Sequence, residues 1–98
     1  MKVAFAPLCD GDLEDVADYI ARDSPRRALS YVIEIRRWCR SLSRFPKRFP
    51  VAPEFGTDVR RATYGAYSIY YSVRDGQILI ERILHSAREI GLNIDRVR

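Results

Sequence analysis

The chain has 98 residues, with 17 Lys or Arg against 13 Asp or Glu, a formal net charge of +4, and 47% apolar residues. That length suits one domain spanning residues 1–98 with a modest core, and the apolar and charged fractions are those of an ordinary globular protein. No apolar run nears the eighteen or so residues of a membrane span, and Met1-Lys2-Val3-Ala4-Phe5-Ala6-Pro7 is too short for a signal-peptide apolar region, so a cytoplasmic chain is expected.

Charge is unevenly spread. Residues 1–21 carry one lysine against five acids, a net of −4, whereas residues 22–61 carry eleven basic residues against four acids, a net of +7. Arginine dominates the basic set, and its planar fork suits carboxylates and phosphates. A basic middle segment points to an acidic partner, protein or nucleic acid. Cys9 and Cys39 lie far apart with no His or Cys at metal-ligand spacing, so they read as small buried thiols, with a disulfide or metal site as the alternative; no cofactor is expected.

Taken in order, Lys2–Ala6 reads as a short strand in which Val3 and Phe5 alternate with Lys2 and Ala4. Pro7 suits the first turn of a helix, and Leu13, Val16, Ala17 and Ile20 follow at helical spacing. Asp10, Asp12, Glu14 and Asp15 lie toward that helix's N-terminus, where the macrodipole favours acids. Ser24 then predicts an N-cap with Pro25 at the first helical position. The second helix is expected from Pro25 to about Arg44. Its apolar residues form two stripes, Ala28-Val32-Ile35-Cys39-Leu42 and Tyr31-Ile35-Trp38-Leu42-Phe45, a face wider than one neighbour covers. The short connection makes the two helices an antiparallel hairpin.

Residues 45–56 contain Pro46, Pro50, Pro53 and Gly56 and read as a loop, with Lys47 and Arg48 near its tip. Val59–Thr63 follows as a strand. Tyr67-Ser-Ile-Tyr-Tyr-Ser-Val73 and Ile78–His85 then flank Asp75-Gly76, the strongest short hairpin signal, since both central residues of a type I′ turn need φ > 0. A two-residue loop sets the pairs Val73/Ile78, Tyr71/Ile80, Ile69/Arg82 and Tyr67/Leu84 on one face, read as core. It sets Ser72/Leu79, Tyr70/Glu81, Ser68/Ile83 and Ala66/His85 on the other. A one-residue slip exchanges the two sets. Ser86 onward reads as a turn or short helix and a polar tail.

The order is β-α-α-β-β-β, an α+β sandwich with a small twisted, mainly antiparallel sheet packed against an N-terminal helical hairpin. This arrangement, with Asp12-Leu-Glu-Asp-Val-Ala-Asp-Tyr-Ile-Ala-Arg22, the Phe45-Pro46 loop, Tyr67-Ser-Ile-Tyr-Tyr71 and Arg82-Ile-Leu-His-Ser-Ala-Arg88, resembles the RelE/ParE toxins of type II toxin–antitoxin systems over nearly the whole chain. The acidic first helix and the Leu-His-Ser-Ala-Arg ending resemble the ParE branch most. The resemblance implies a toxin neutralised by a directly bound antitoxin (ParD-like or similar) in a hetero-oligomer. For ParE-like members it implies DNA gyrase as target, and for RelE-like members ribosome-dependent mRNA cleavage.

Cleaving RNA through its 2′-hydroxyl needs a base, an acid and cations on the developing phosphorane charge. The available groups are Glu81 and His85, with Arg60, Arg61, Arg82 or Arg88 as clamps. In the register above, Glu81 and His85 share a face at a separation of roughly 13 Å, too far for one phosphate. Arg82 points to the opposite face, toward an acid under the helices, and His85 reads as a hydrogen-bonded strand end that orients the following turn. RelE-like nucleases resemble one another in a Lys- and Arg-rich active face and often a C-terminal tyrosine. Here no tyrosine follows Tyr71, and the only lysines are Lys2 and Lys47.

The reading that follows is a gyrase-directed toxin without membrane or specific nucleic-acid contacts. The alternatives are an mRNA endonuclease or a non-catalytic nucleic-acid-binding module. For the antitoxin, Tyr31, Trp38, Arg36 and Arg40 are expected to form one apolar, basic groove on the second helix.

Overall fold

A computed structural model of the chain describes residues 1–87. Its elements are β1 (Lys2–Phe5), α1 (Leu8–Ala21), α2 (Pro25–Ser41), two 3₁₀ turns (Leu42–Arg44 and Pro53–Phe55), β2 (Val59–Tyr64), β3 (Tyr67–Arg74) and β4 (Gln77–His85). The strands form one sheet in the order β1-β4-β3-β2, with β1 parallel to β4 and the other pairs antiparallel. The α+β sandwich expected from patterning is what forms, as a mixed sheet under a helical hairpin.

Local chemistry explains the element ends. Ser24 caps α2 by accepting from the Arg27 amide at 3.2 Å, with Pro25 at the first helical position. Such a cap contributes about 1 kcal/mol. Asp75 and Gly76 both take positive φ, 50° and 71°, in the two-residue turn between Arg74 and Gln77.

Apolar positions at i, i+4 and i+7 on α1 (Cys9, Leu13, Val16) are buried, as are Ala28, Ile35 and Cys39 of α2. All but Ala28 close over Ala62, Tyr67, Ile69, Tyr71, Ile78, Ile80 and Ile83 of the sheet. Each fully buried aliphatic side chain in this layer contributes about 1.5–3 kcal/mol. The loop before β2 folds over the opposite face. There Phe55 lies 4.1 Å from the Tyr70 ring, beside Ala52, Val59 and Leu84. Both faces of β3 are therefore buried, which is why its run of Tyr, Ser and Ile does not simply alternate.

The hairpin register departs from the expected one halfway along. Val73/Ile78, Tyr71/Ile80 and Ser72/Leu79 pair as predicted, but a β-bulge follows, and Tyr70 pairs with Arg82, Ile69 with Ile83, Ser68 with Leu84 and Tyr67 with His85. Glu81 is the extra residue. The expected pairs Ile69/Arg82, Tyr67/Leu84, Tyr70/Glu81, Ser68/Ile83 and Ala66/His85 are thus each displaced by one. The physical reason is a change of neighbour. β1 leaves β4 where the Ala6 amide donates to the Ile80 carbonyl at 2.8 Å, and α1 begins there. Bulges insert one residue and re-aim the side chains beyond it. Ile83 thereby enters the helix-covered core while Leu84 enters the smaller cluster.

Candidate functional site

The edge of β4 that β1 abandons is taken over by a carboxylate. Asp12, on the first turns of α1, is 4% exposed. It receives Arg82 bidentately, Nε to Oδ2 and Nη2 to Oδ1, both at 2.7 Å, and the Ile83 amide donates to Oδ2 at 2.9 Å. Asp12 therefore does for Ile83 what a strand partner would have done. Its hydrogen bond holds the Arg82 guanidinium above its ordinary pKa. The expectation that Arg82 pairs with an acid beneath the helices holds, and this arginine belongs to the fold.

The bulge also separates the two groups that a nuclease would need together. Glu81 lies on the face away from the helices and accepts from the Ser72 hydroxyl at 2.9 Å. His85 lies on the helix side, its ring 5.0 Å from that of Tyr19 and 5.2 Å from that of Tyr67. Its Nδ1 accepts from the Ala87 amide at 3.1 Å, the strand-end role expected for it. The expected sharing of one face by Glu81 and His85 is thus corrected, because Glu81 is itself the inserted residue and the pairing of His85 beyond it is displaced by one.

The cation candidates scatter as well. Arg60 turns toward the loop before β2 and donates to the carbonyls of Lys47 at 3.2 Å and Phe49 at 2.6 Å. Arg61, its neighbour on β2, points to the other face, with Nε 3.2 Å from the Ser68 hydroxyl. Arg88, the remaining candidate, lies outside the described residues.

The surface of α2 divides into two flanks. Trp38 is half-buried, its ring 5.4 Å from Tyr64 and 5.9 Å from Phe49. Tyr31 packs 5.9 Å from both Tyr64 and Tyr67. Its hydroxyl lies 2.8 Å from where a Cβ on Gly65 would stand, and Gly65 has a φ of 58°, so a side chain there would be strained. Arg36 and Arg40 lie on the opposite flank, their guanidinium carbons 5.1 and 5.7 Å from the Phe5 ring of β1. The single groove expected to hold Tyr31, Trp38, Arg36 and Arg40 does not form. Trp38 stands roughly 200° around the helix from Arg36 at 100° per residue. What does share a stripe with Arg36 and Arg40 is Leu29 and Ile33, 70% and 48% exposed. Four residues separate each pair and seven separate Leu29 from Arg36.

Cys9 and Cys39 are free, buried thiols. Burial is the main force that pushes Cys9 up to about 11 and Cys39 up to about 12. Thiols held so far from the thiolate are poor nucleophiles and poor ligands. Among the described residues, no three His, Cys, Asp or Glu side chains lie together as a metal site, and no helix is long and apolar enough to cross a membrane.

The model of the family described as the ParE toxin of the type II toxin–antitoxin system, parDE, matches residues 3–90. The chain belongs to this family. It is a toxin of a type II toxin–antitoxin system. Among solved structures, the chromosomal ParDE toxin–antitoxin system from P. aeruginosa is similar at 24% identity and a TM-score of 0.73, covering 87% of this chain and 95% of that one. The RelBE2 toxin–antitoxin complex from Mycobacterium tuberculosis is similar at 27% identity and a TM-score of 0.61, covering 86% and 88%. Comparison with curated proteins gives no match.

Sequence reasoning missed three features of the toxin's surface. Leu29 and Ile33 fell outside both apolar stripes of α2, and that exclusion was itself the signal of their exposure. Phe45, expected to continue a stripe, follows a 3₁₀ turn and is 65% exposed. The turn changes the angular step per residue, so the helical period no longer predicts its direction. The third feature is the anchoring of the loop after it, set by β-strand residues far along the chain.

Proposed function

We propose that this toxin acts in the cytoplasm on DNA gyrase without nuclease chemistry of its own, and that a cognate antitoxin neutralises it by direct binding. The observation that carries the reading is the bulge at Glu81. It sends Glu81 and His85 to opposite faces of the sheet, while Ser72 engages the first and Ala87 the second. General acid–base cleavage requires both groups within hydrogen-bond reach of one phosphate, directly or through one water. Arg82 is committed to Asp12 and Arg60 to loop carbonyls. Membership of the ParE branch and the antitoxin-bound relatives support the rest.

The exposed stripe of α2 supports a place for the antitoxin. Leu29 and Ile33 supply apolar anchors and Arg36 and Arg40 a basic rim, which suits an amphipathic helix with acidic residues beside its apolar face. On this reading Trp38 and Tyr31 act indirectly, by holding α2 against β2.

The test is purified toxin added to gyrase and relaxed plasmid. The expected result is loss of supercoiling with accumulation of cleaved DNA covalently attached to gyrase, reversed by stoichiometric antitoxin. Gyrase activity unchanged at toxin excess, together with cleavage of ribosome-bound mRNA by the same preparation, would establish the nuclease alternative instead.

A further inference from the structure

We propose that the loop tip at residues 44–48 binds single-stranded nucleic acid, with Phe45 as a stacking platform for a base and Arg44, Lys47 and Arg48 on the phosphates. This goes beyond the gyrase reading and does not rest on it.

The tip is held from beneath. The fully buried Tyr71 donates its hydroxyl to the Pro46 carbonyl at 2.8 Å, and Arg60 donates to the carbonyls of Lys47 and Phe49. Two backbone bonds close the turn itself, Phe45 N to Leu42 O at 3.2 Å and Arg48 N to Phe45 O at 3.1 Å. A segment that had only to connect α2 to β2 needs no such fixing. Fixing it lowers the ordering cost of any ligand it meets.

The side chains on this frame face solvent. Phe45 is the largest exposed aromatic of the region, and it lines a shallow groove of about 660 Å³ with Arg44, Pro46, Lys47 and Arg48. Behind it the Arg48 guanidinium lies 5.6 Å over the Phe49 ring, which in turn meets Trp38. The charge is of one sign. Between Glu34 and Glu54 the chain carries Arg36, Arg37, Arg40, Arg44, Lys47 and Arg48 and no acid.

Cations beside an outward ring are the chemistry of sequence-tolerant strand binding. The cations track the backbone, and the ring takes the face of any base. A duplex hides those faces within its stack, so a single strand is the ligand that uses Phe45. An acidic protein would use the same charges, but it would take Phe45 as an apolar anchor, for which ring planarity is immaterial. The two occupants therefore differ in what they require at residue 45.

The experiment measures anisotropy of a labelled oligothymidine of ~12 nucleotides with the purified full-length toxin. Salt is varied between ~50 and ~200 mM, and thermal unfolding of each variant is recorded alongside. Binding is expected with a log–log salt slope of about −2, the release from three phosphates of a single strand. Phe45→Ala should weaken it about tenfold at an unchanged unfolding temperature, and Phe45→Trp should retain it. Phe45→Leu should behave like Phe45→Ala. Wild-type affinity in Phe45→Leu would overturn the proposal in favour of an apolar protein dock. So would unchanged affinity in Phe45→Ala, or equal binding of a labelled blunt duplex of the same length measured alongside, because the ring would then play no part.

Discussion

Arg82 and Arg37 carry the same charge on elements that close the same core, yet their surroundings differ in every respect. Arg82 is mostly buried and held in a bidentate geometry by a carboxylate that is itself out of solvent. Arg37 stands in water on the outer side of α2. A buried, paired cation is worth little against an apolar replacement of the pair. Removing only one partner is costly, because the other charge is stranded. A solvent-facing cation contributes almost nothing to stability and is free to steer association. The comparison separates arginines that build this toxin from arginines that stay in solvent.

The sharpest way to break that distinction is at Asp12. Asp12→Ala leaves both Arg82 and the Ile83 amide without their acceptor, and the expected loss is about 3 kcal/mol or more in urea unfolding. Arg37→Ala in the same assay should stay within about 0.5 kcal/mol. Similar losses at the two positions would mean that the Asp12 pair is as loosely held as a surface charge.

A second, smaller effect follows from the same burial. An ordinary thiol titrates at 9.0, but Cys9 is held up to about 11 and Cys39 to about 12. Above the ordinary value the unfolded chain releases these protons while the folded chain keeps them. Stability is therefore unaffected by these thiols below about pH 9 and falls above it, up to about 11 for Cys9 and about 12 for Cys39. The limit is roughly 1.4 kcal/mol per pH unit for each thiol. Chemical unfolding at a series of alkaline pH values measures the slope, and Cys39→Ala should flatten part of it. An unchanged slope in that variant would show that Cys39 opens to water before the fold is lost.

Much of the architecture was legible because it is decided locally. Ser24-Pro25 sets its own cap, Asp75-Gly76 its own turn, and the spacing from Leu13 to Ile20 its own buried face. Arg82 was legible too, since a charged residue in a core register implies an acid nearby. The bulge at Glu81 was not. It depends on where β1 ends against Ile80 and on Asp12, 71 positions before Ile83, taking the Ile83 amide, and no pattern within β4 encodes either event. That one insertion shifted the pairing beyond it, so His85 was read on the face of Glu81 when it lies on the helix side. The surface of α2 failed for a simpler reason. Its four expected antitoxin contacts were grouped by residue type, and the helical angle between Trp38 and Arg36 separates them.

The central claim is that Glu81 and His85 do not act together, and their replacement tests it most directly. Glu81→Gln keeps the acceptor for Ser72, and His85→Asn keeps an acceptor near the Ala87 amide, so both variants should fold. On the proposed reading the parent chain arrests growth when expressed without antitoxin, and each single variant and the double variant are predicted to do the same. Loss of arrest in the double variant at an unchanged unfolding temperature would contradict the account and return these two residues to a catalytic role.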